Sequence, residues 1–100
     1  MLEDIRGPYF RGLDESQRPR EYWRGLDPDD KQTAWFFETV EDGALRIAIK
    51  QMILHPAGAI DRYWWKHLQD ENGGLADQPV DYTEELRAIS ADDFYRVWHR

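Results

Sequence analysis

The middle of the chain alternates between apolar and polar positions with the period of strands. Thr33-Ala34-Trp35-Phe36-Phe37-Glu38-Thr39-Val40 is β-branched and aromatic, the composition of a strand. Glu41-Asp42-Gly43 follows, and an Asp-Gly pair supplies the positive φ of a tight hairpin. From Ala44 to His55, Leu45, Ile47, Ile49 and Ile53 share one face while Arg46 and Lys50 take the other. Pro56-Ala57-Gly58 marks a second turn, and Ile60-Asp61-Arg62-Tyr63-Trp64-Trp65 reads as a third strand. A helical reading competes, because Asp27-Pro28-Asp29-Asp30 could cap a helix and Leu45, Ile49, Met52 and Ile53 also fit one helical face. The clustering of β-branched residues and the hairpin spacing of the glycines favour strands.

The flanks differ from this centre. Residues 1–32 are rich in Arg, Asp, Gly and Pro and contain an echo, Tyr9-Phe10-Arg11-Gly12-Leu13-Asp14 against Tyr22-Trp23-Arg24-Gly25-Leu26-Asp27. Its spacing is too short for a solenoid repeat, so the two copies read as aromatic plugs ending in turns. Lys66 to Tyr82 is a long polar connection. At the end, Ser90-Ala91-Asp92-Asp93 is a capping pattern, and Phe94, Val97 and Trp98 follow at helical spacing. The predicted fold is α+β. It comprises an antiparallel meander of three to four strands, a C-terminal helix and an irregular aromatic N-terminal wrap, all in one domain over residues 1–100. Leu45, Ile47, Ile49, Ile53, Trp35, Phe37, Phe94 and Trp98 are the expected core.

Alternation also sends large rings to both faces: Tyr63 and Trp65 against Trp64, Trp35 and Phe37 against Phe36. One helix shelters one face only. The second needs the plugs Tyr9, Phe10, Tyr22 and Trp23, or another molecule, to cover it.

Composition narrows the classes. With 41% hydrophobic and 14% aromatic residues the chain has the material for a core, and 100 residues suit one domain. It has no Cys, which removes disulfides and thiolate chemistry and suits a reducing compartment. The first residues lack a basic start and an apolar run, and no apolar stretch is long enough for a bilayer. A cytoplasmic protein without membrane contact is expected. Twenty Asp and Glu against 13 Lys and Arg give a net charge of −7, which repels nucleic acid and attracts basic partners.

Candidate chemistry is sparse. Asp70, Asn72, Gly74 and Asp81 faintly follow a calcium loop, but Leu75 stands where that loop needs Gly and Asp81 where it needs Glu. His55, His67 and His99 lie far apart in sequence and form no metal motif. Ser16 and Ser90 lack a neighbouring His in a nucleophile elbow, and no phosphate-binding glycine loop is present. No cofactor, no metal and no catalytic residue is assigned, and an enzyme is not the expected class. The binding candidates are Arg62, Tyr63 and Trp64, as aromatic and stacking anchors, and Asp70, Glu71, Asp77 and Asp81, as charges that steer a partner.

The segment from Trp35 to Trp98 resembles small uncharacterised bacterial domains of the immunity type, found in the neighbourhood of toxins. The resemblance runs through Leu45-Arg46-Ile47-Ala48-Ile49-Lys50-Gln51, Pro56-Ala57-Gly58, Arg62-Tyr63-Trp64-Trp65, Leu75-Ala76-Asp77-Gln78-Pro79 and Ile89 to Trp98. It implies an α+β meander with a C-terminal helix and carries no catalytic residues. The expected function is an acidic protein-binding module, an inhibitor that occludes a basic toxin or nuclease. The alternative is a sugar- or nucleotide-binding domain or enzyme with an aromatic-lined pocket around Trp64 or Trp65. A self-associating module is a third reading, and the pattern leaves monomer and homodimer open.

Overall fold

The computed structural model describes residues 5–76, 79–80 and 86–100. Helix α1 spans Arg6–Glu15. Strands β1 (Glu21–Leu26), β2 (Ala34–Asp42), β3 (Leu45–Leu54) and β4 (Ile60–Tyr63) follow. A short hairpin comes next, β5 (Gln69–Asp70) and β6 (Gly73–Gly74), and then β7 (Arg87–Ile89) and helix α2 (Ala91–Trp98). Five strands form one antiparallel sheet in the order β4-β3-β2-β1-β7. The fold is α+β with a C-terminal helix, as the alternating pattern predicts, and the helical alternative for residues 33–55 is not adopted.

The hairpin from β2 to β3 turns where Asp42-Gly43 directs it. Asp42 pairs with Leu45, and Gly43 takes φ +64°, a conformation that disfavours side chains with a Cβ. Farther along, Glu38 faces Lys50 while Thr39 faces Ala48, so β3 spends one extra residue, Ile49, as a bulge.

Paired residues across antiparallel strands share a face, and the rows sort the core into two layers. Trp23, Phe37, Gln51 and Tyr63 form one row, and Phe10 and Leu13 of α1 pack on that side with Val40, Ile47, Ile49 and Leu75. Arg24, Phe36, Met52 and Arg62 form the next row, on the side where Phe94 and Val97 of α2 close the core with Ala34. α2 begins as its pattern predicts: the Ser90 hydroxyl accepts the Asp93 amide at 3.0 Å.

The irregular N-terminal wrap is corrected to a helix and a strand, and the meander grows to a five-stranded sheet. Low helix propensity at Gly7 and Gly12 hides α1, whose stability comes from docking Phe10 and Leu13 rather than from local preference. Pro8 sits in the first turn, where its missing amide costs nothing. Of the plugs, Phe10 is buried under the sheet, Tyr9 lies at the surface with its hydroxyl on Asp42 (2.7 Å), and Tyr22 and Trp23 belong to the sheet itself. Within the expected core, Ile47, Ile49, Phe37 and Phe94 are buried, and Trp35, Ile53 and Trp98 are partly buried. Leu45 is 52% exposed, because it flanks the hairpin turn.

Candidate functional site

The polar connection after β4 is ordered by its own side chains. Trp64 and His67 exchange backbone hydrogen bonds in an isolated bridge, turning the chain back on itself before β5. The β5–β6 hairpin then pairs Gln69 with Gly74 and Asp70 with Gly73. A Cβ at Gly74 would stand 2.9 Å from the Leu68 carbonyl oxygen, so close backbone approach demands glycine there. Leu75 is buried, and the Ala76 amide donates to the Gln51 side chain at 2.9 Å, which ties the hairpin to the sheet.

Asp70 is the centre of this hairpin. Its Oδ1 accepts the Tyr63 hydroxyl and the Asn72 amide, both at 2.8 Å, and its Oδ2 meets His67 Nε2 at 3.0 Å. These three partners, His67 foremost, lower its carboxyl to about 2. The His67 ring stacks on Tyr63 with centroids 5.7 Å apart. Burial, and then donation to the charged carboxylate, drive the Tyr63 hydroxyl well above its ordinary value, so it stays a protonated donor.

Beside the hairpin lies an aromatic and cationic patch. Trp64 packs against Trp65 and, edge to face, Trp98, with centroids 5.6 and 6.1 Å apart. Lys66 Nζ stands 5.2 Å from both the Trp64 and Trp65 rings, and Arg11 covers Trp65 at 4.9 Å. A groove of about 430 Å³ runs along α1 here, lined by Gly7, Pro8, Arg11, Gly12, Glu15 and Trp65.

The residues singled out from the sequence fall into distinct roles. Tyr63 is fully buried and cannot meet a partner; it anchors Asp70. Arg62 is not stacked on the neighbouring rings. It donates to the carbonyls of Trp98 (2.8 Å) and Arg100 (2.7 Å), fastening the end of α2 to β4. Trp64 is half-buried, and Glu71 is exposed at the hairpin tip. Asp77 and Asp81 lie outside the described residues.

A second constellation has no counterpart in the sequence reading. Asp14 of α1, Arg20, Glu38 of β2 and Lys50 of β3 converge: Lys50 Nζ lies 2.9 Å from Asp14 and 3.4 Å from Glu38, and Arg20 reaches both carboxylates at 3.3 and 3.0 Å. Glu38 and Lys50 are only 2% and 8% exposed. The Tyr95 hydroxyl donates to Glu38, and Trp65 Nε1 to Asp14 at 2.9 Å. Alternation assigns Lys50 to a solvated face, but Tyr95 of α2 and Asp14 of α1 enclose it. Its only local signal is a charge set between the apolar runs Ile47-Ala48-Ile49 and Met52-Ile53-Leu54. Among the described residues no three His, Asp or Glu side chains converge as a metal site, and no helix is long and apolar enough to cross a membrane. Comparison with protein-family models, curated proteins and solved structures finds no match for this chain.

Proposed function

We propose that this chain is an acidic protein-binding module whose partner presents a basic surface, an immunity-type inhibitor in the sense of the resemblance above. The carrying observation is a run of acid on an anchored support. From His67 to Leu86 the sequence holds six carboxylates and no Lys or Arg, and its β5–β6 part is fixed to the sheet through Tyr63, Gln51 and Leu75. Asp70 is held ionised by its donors, and Glu71 points its charge outward at the tip. Charge on a pre-ordered support steers encounter without a large ordering cost on binding. Trp64, half-buried beside this rim, supplies an aromatic anchor of the kind that concentrates binding energy. The module acts by occluding the partner's own site.

The aromatic-pocket alternative has weaker support, since Arg11 already lies over the Trp65 ring that a sugar or base would use. The test is the association rate with an inactivated basic toxin or nuclease. The rate is expected to fall ~10-fold or more between low and high salt, and several-fold on Glu71→Lys. Association indifferent to both changes would refute steering by this rim.

A further inference from the structure

Among the described residues, six cations of this chain are matched to carboxylates. Arg11, Arg18, Arg20, Arg46, Lys50 and Arg96 all form ion pairs. Arg24, Lys31, Arg87 and Arg100 form none among the described residues, although acids outnumber bases 20 to 13. These four line two adjoining clefts at one end of the sheet, on the α2 side and therefore on the face opposite the β5–β6 hairpin.

Arg24 of β1 and Arg87 of β7 are direct cross-strand partners, so their side chains emerge side by side. Like charges in that relation destabilise a sheet. Arg24 lies 5.7 Å over the Phe36 ring, and Arg87 is exposed at the sheet edge. Together with Gly25 and Leu26 they line a cleft of about 280 Å³. A second cleft of about 380 Å³ shares Arg24 and Leu26. It runs over Ala34 and Leu54 toward Lys31, His55 and Arg100. Leu26, Ala34 and Leu54 are one cross-strand row, which makes an apolar floor.

Among the described residues, the neighbouring acids Asp27, Asp30 and Asp61 are engaged elsewhere. Asp27 Oδ1 accepts the amides of Asp29 and Asp30, Asp30 accepts the Gln32 amide and the Thr33 hydroxyl, and Asp61 meets His55 at 2.8 Å. One guanidinium fork satisfies a carboxylate; two forks side by side suit a dianion with three free oxygens. We propose that this groove binds a small organic phosphate, its phosphate group held between Arg24 and Arg87 and its apolar body lying along Leu26, Ala34 and Leu54. The like-charged pair is then the cost of a site completed by its ligand. The proposal rests on residues separate from the acidic rim, so either can fail without the other.

The deciding experiment follows the arginine Nε–H signals of labelled protein during titration with phenyl phosphate, inorganic phosphate, benzoate and hexaglutamate. Saturable shifts at Arg24 and Arg87 are expected with phenyl phosphate, which should bind ~10-fold more tightly than inorganic phosphate because its ring buries apolar area. Arg24→Gln also strips the cation from Phe36, so the exposed Arg87→Gln is the decisive variant. It should weaken phenyl phosphate ~10-fold or more while leaving the ligand-free Tm unchanged or raised. Benzoate binding as tightly as phenyl phosphate would overturn the assignment to phosphate. So would hexaglutamate binding where phenyl phosphate does not, non-saturating shifts, or a ligand-free Tm that falls in Arg87→Gln.

Discussion

Asp70 shows how a single exposed carboxylate becomes a fixed charge. A free aspartate titrates near pH ~4, whereas three hydrogen-bond partners hold this one ionised down to about 2. A depressed folded-state pKa contributes stability that is present above the unfolded value and is lost as pH falls through the folded one. That contribution therefore disappears between pH ~4 and about 2. The His67 hydrogen bond is the largest cause, so His67→Ala should move the Asp70 carboxyl titration upward toward the free value, followed by the pH dependence of its side-chain carbon signal in NMR. A midpoint unmoved in that variant would show that Tyr63 and the Asn72 amide suffice.

At the level of elements, short pieces depend on one or two positions each. α2 is eight residues long, too short to persist alone, and combines a Ser90 cap with Phe94 and Val97 buried on the sheet. Ser90→Ala should cost about 1 kcal/mol in urea unfolding, the usual value of an N-cap oxygen. The β5–β6 hairpin has two residues per strand and relies on Gly74 to pass close to Leu68. Gly74→Ala should destabilise the protein by about 1–3 kcal/mol. Its amide shifts should concentrate in residues 67–76; an unperturbed hairpin there would mean that the backbone yields easily.

In the whole molecule, a sheet with large rings on both faces is closed by α1 on one side and α2 on the other. The charge cluster joins these layers, with Asp14 from α1, Glu38 and Lys50 from the sheet and Tyr95 from α2. Burial pushes the Asp14 carboxyl up, but the hydrogen bond and charge of Lys50, with donors from Trp65 and Arg20, outweigh it and hold the group below its ordinary value. Asp14→Asn should therefore lower stability at neutral pH by about 1–3 kcal/mol, solvent screening trimming the upper end. The deficit should shrink as acid protonates the native carboxyl, because the wild type then loses the same charge. A deficit constant from pH 7 to 3 would assign the effect to packing instead.

What the residues determine by themselves is the part governed by local pattern. The strands of β2 and β3 follow from alternation, their turn from Asp42-Gly43, and α2 from the Ser90 cap and the spacing of Phe94 and Val97. The need to cover a second aromatic face was also legible, since alternation sends Trp35 and Phe37 to one side and Phe36 to the other, and likewise splits Tyr63 and Trp65 from Trp64. What covers it was not. α1 carries two glycines and a proline, and becomes a helix only because Phe10 and Leu13 find the sheet. The same holds for the candidate site. Glu71 could be read as an exposed acid, but the burial of Tyr63, the turning of Arg62 onto the end of α2, and the meetings of Lys50 with Asp14 and of Arg24 with Arg87 join positions far apart in sequence. Periodicity reports which face a side chain takes; only packing determines which distant residue waits on that face.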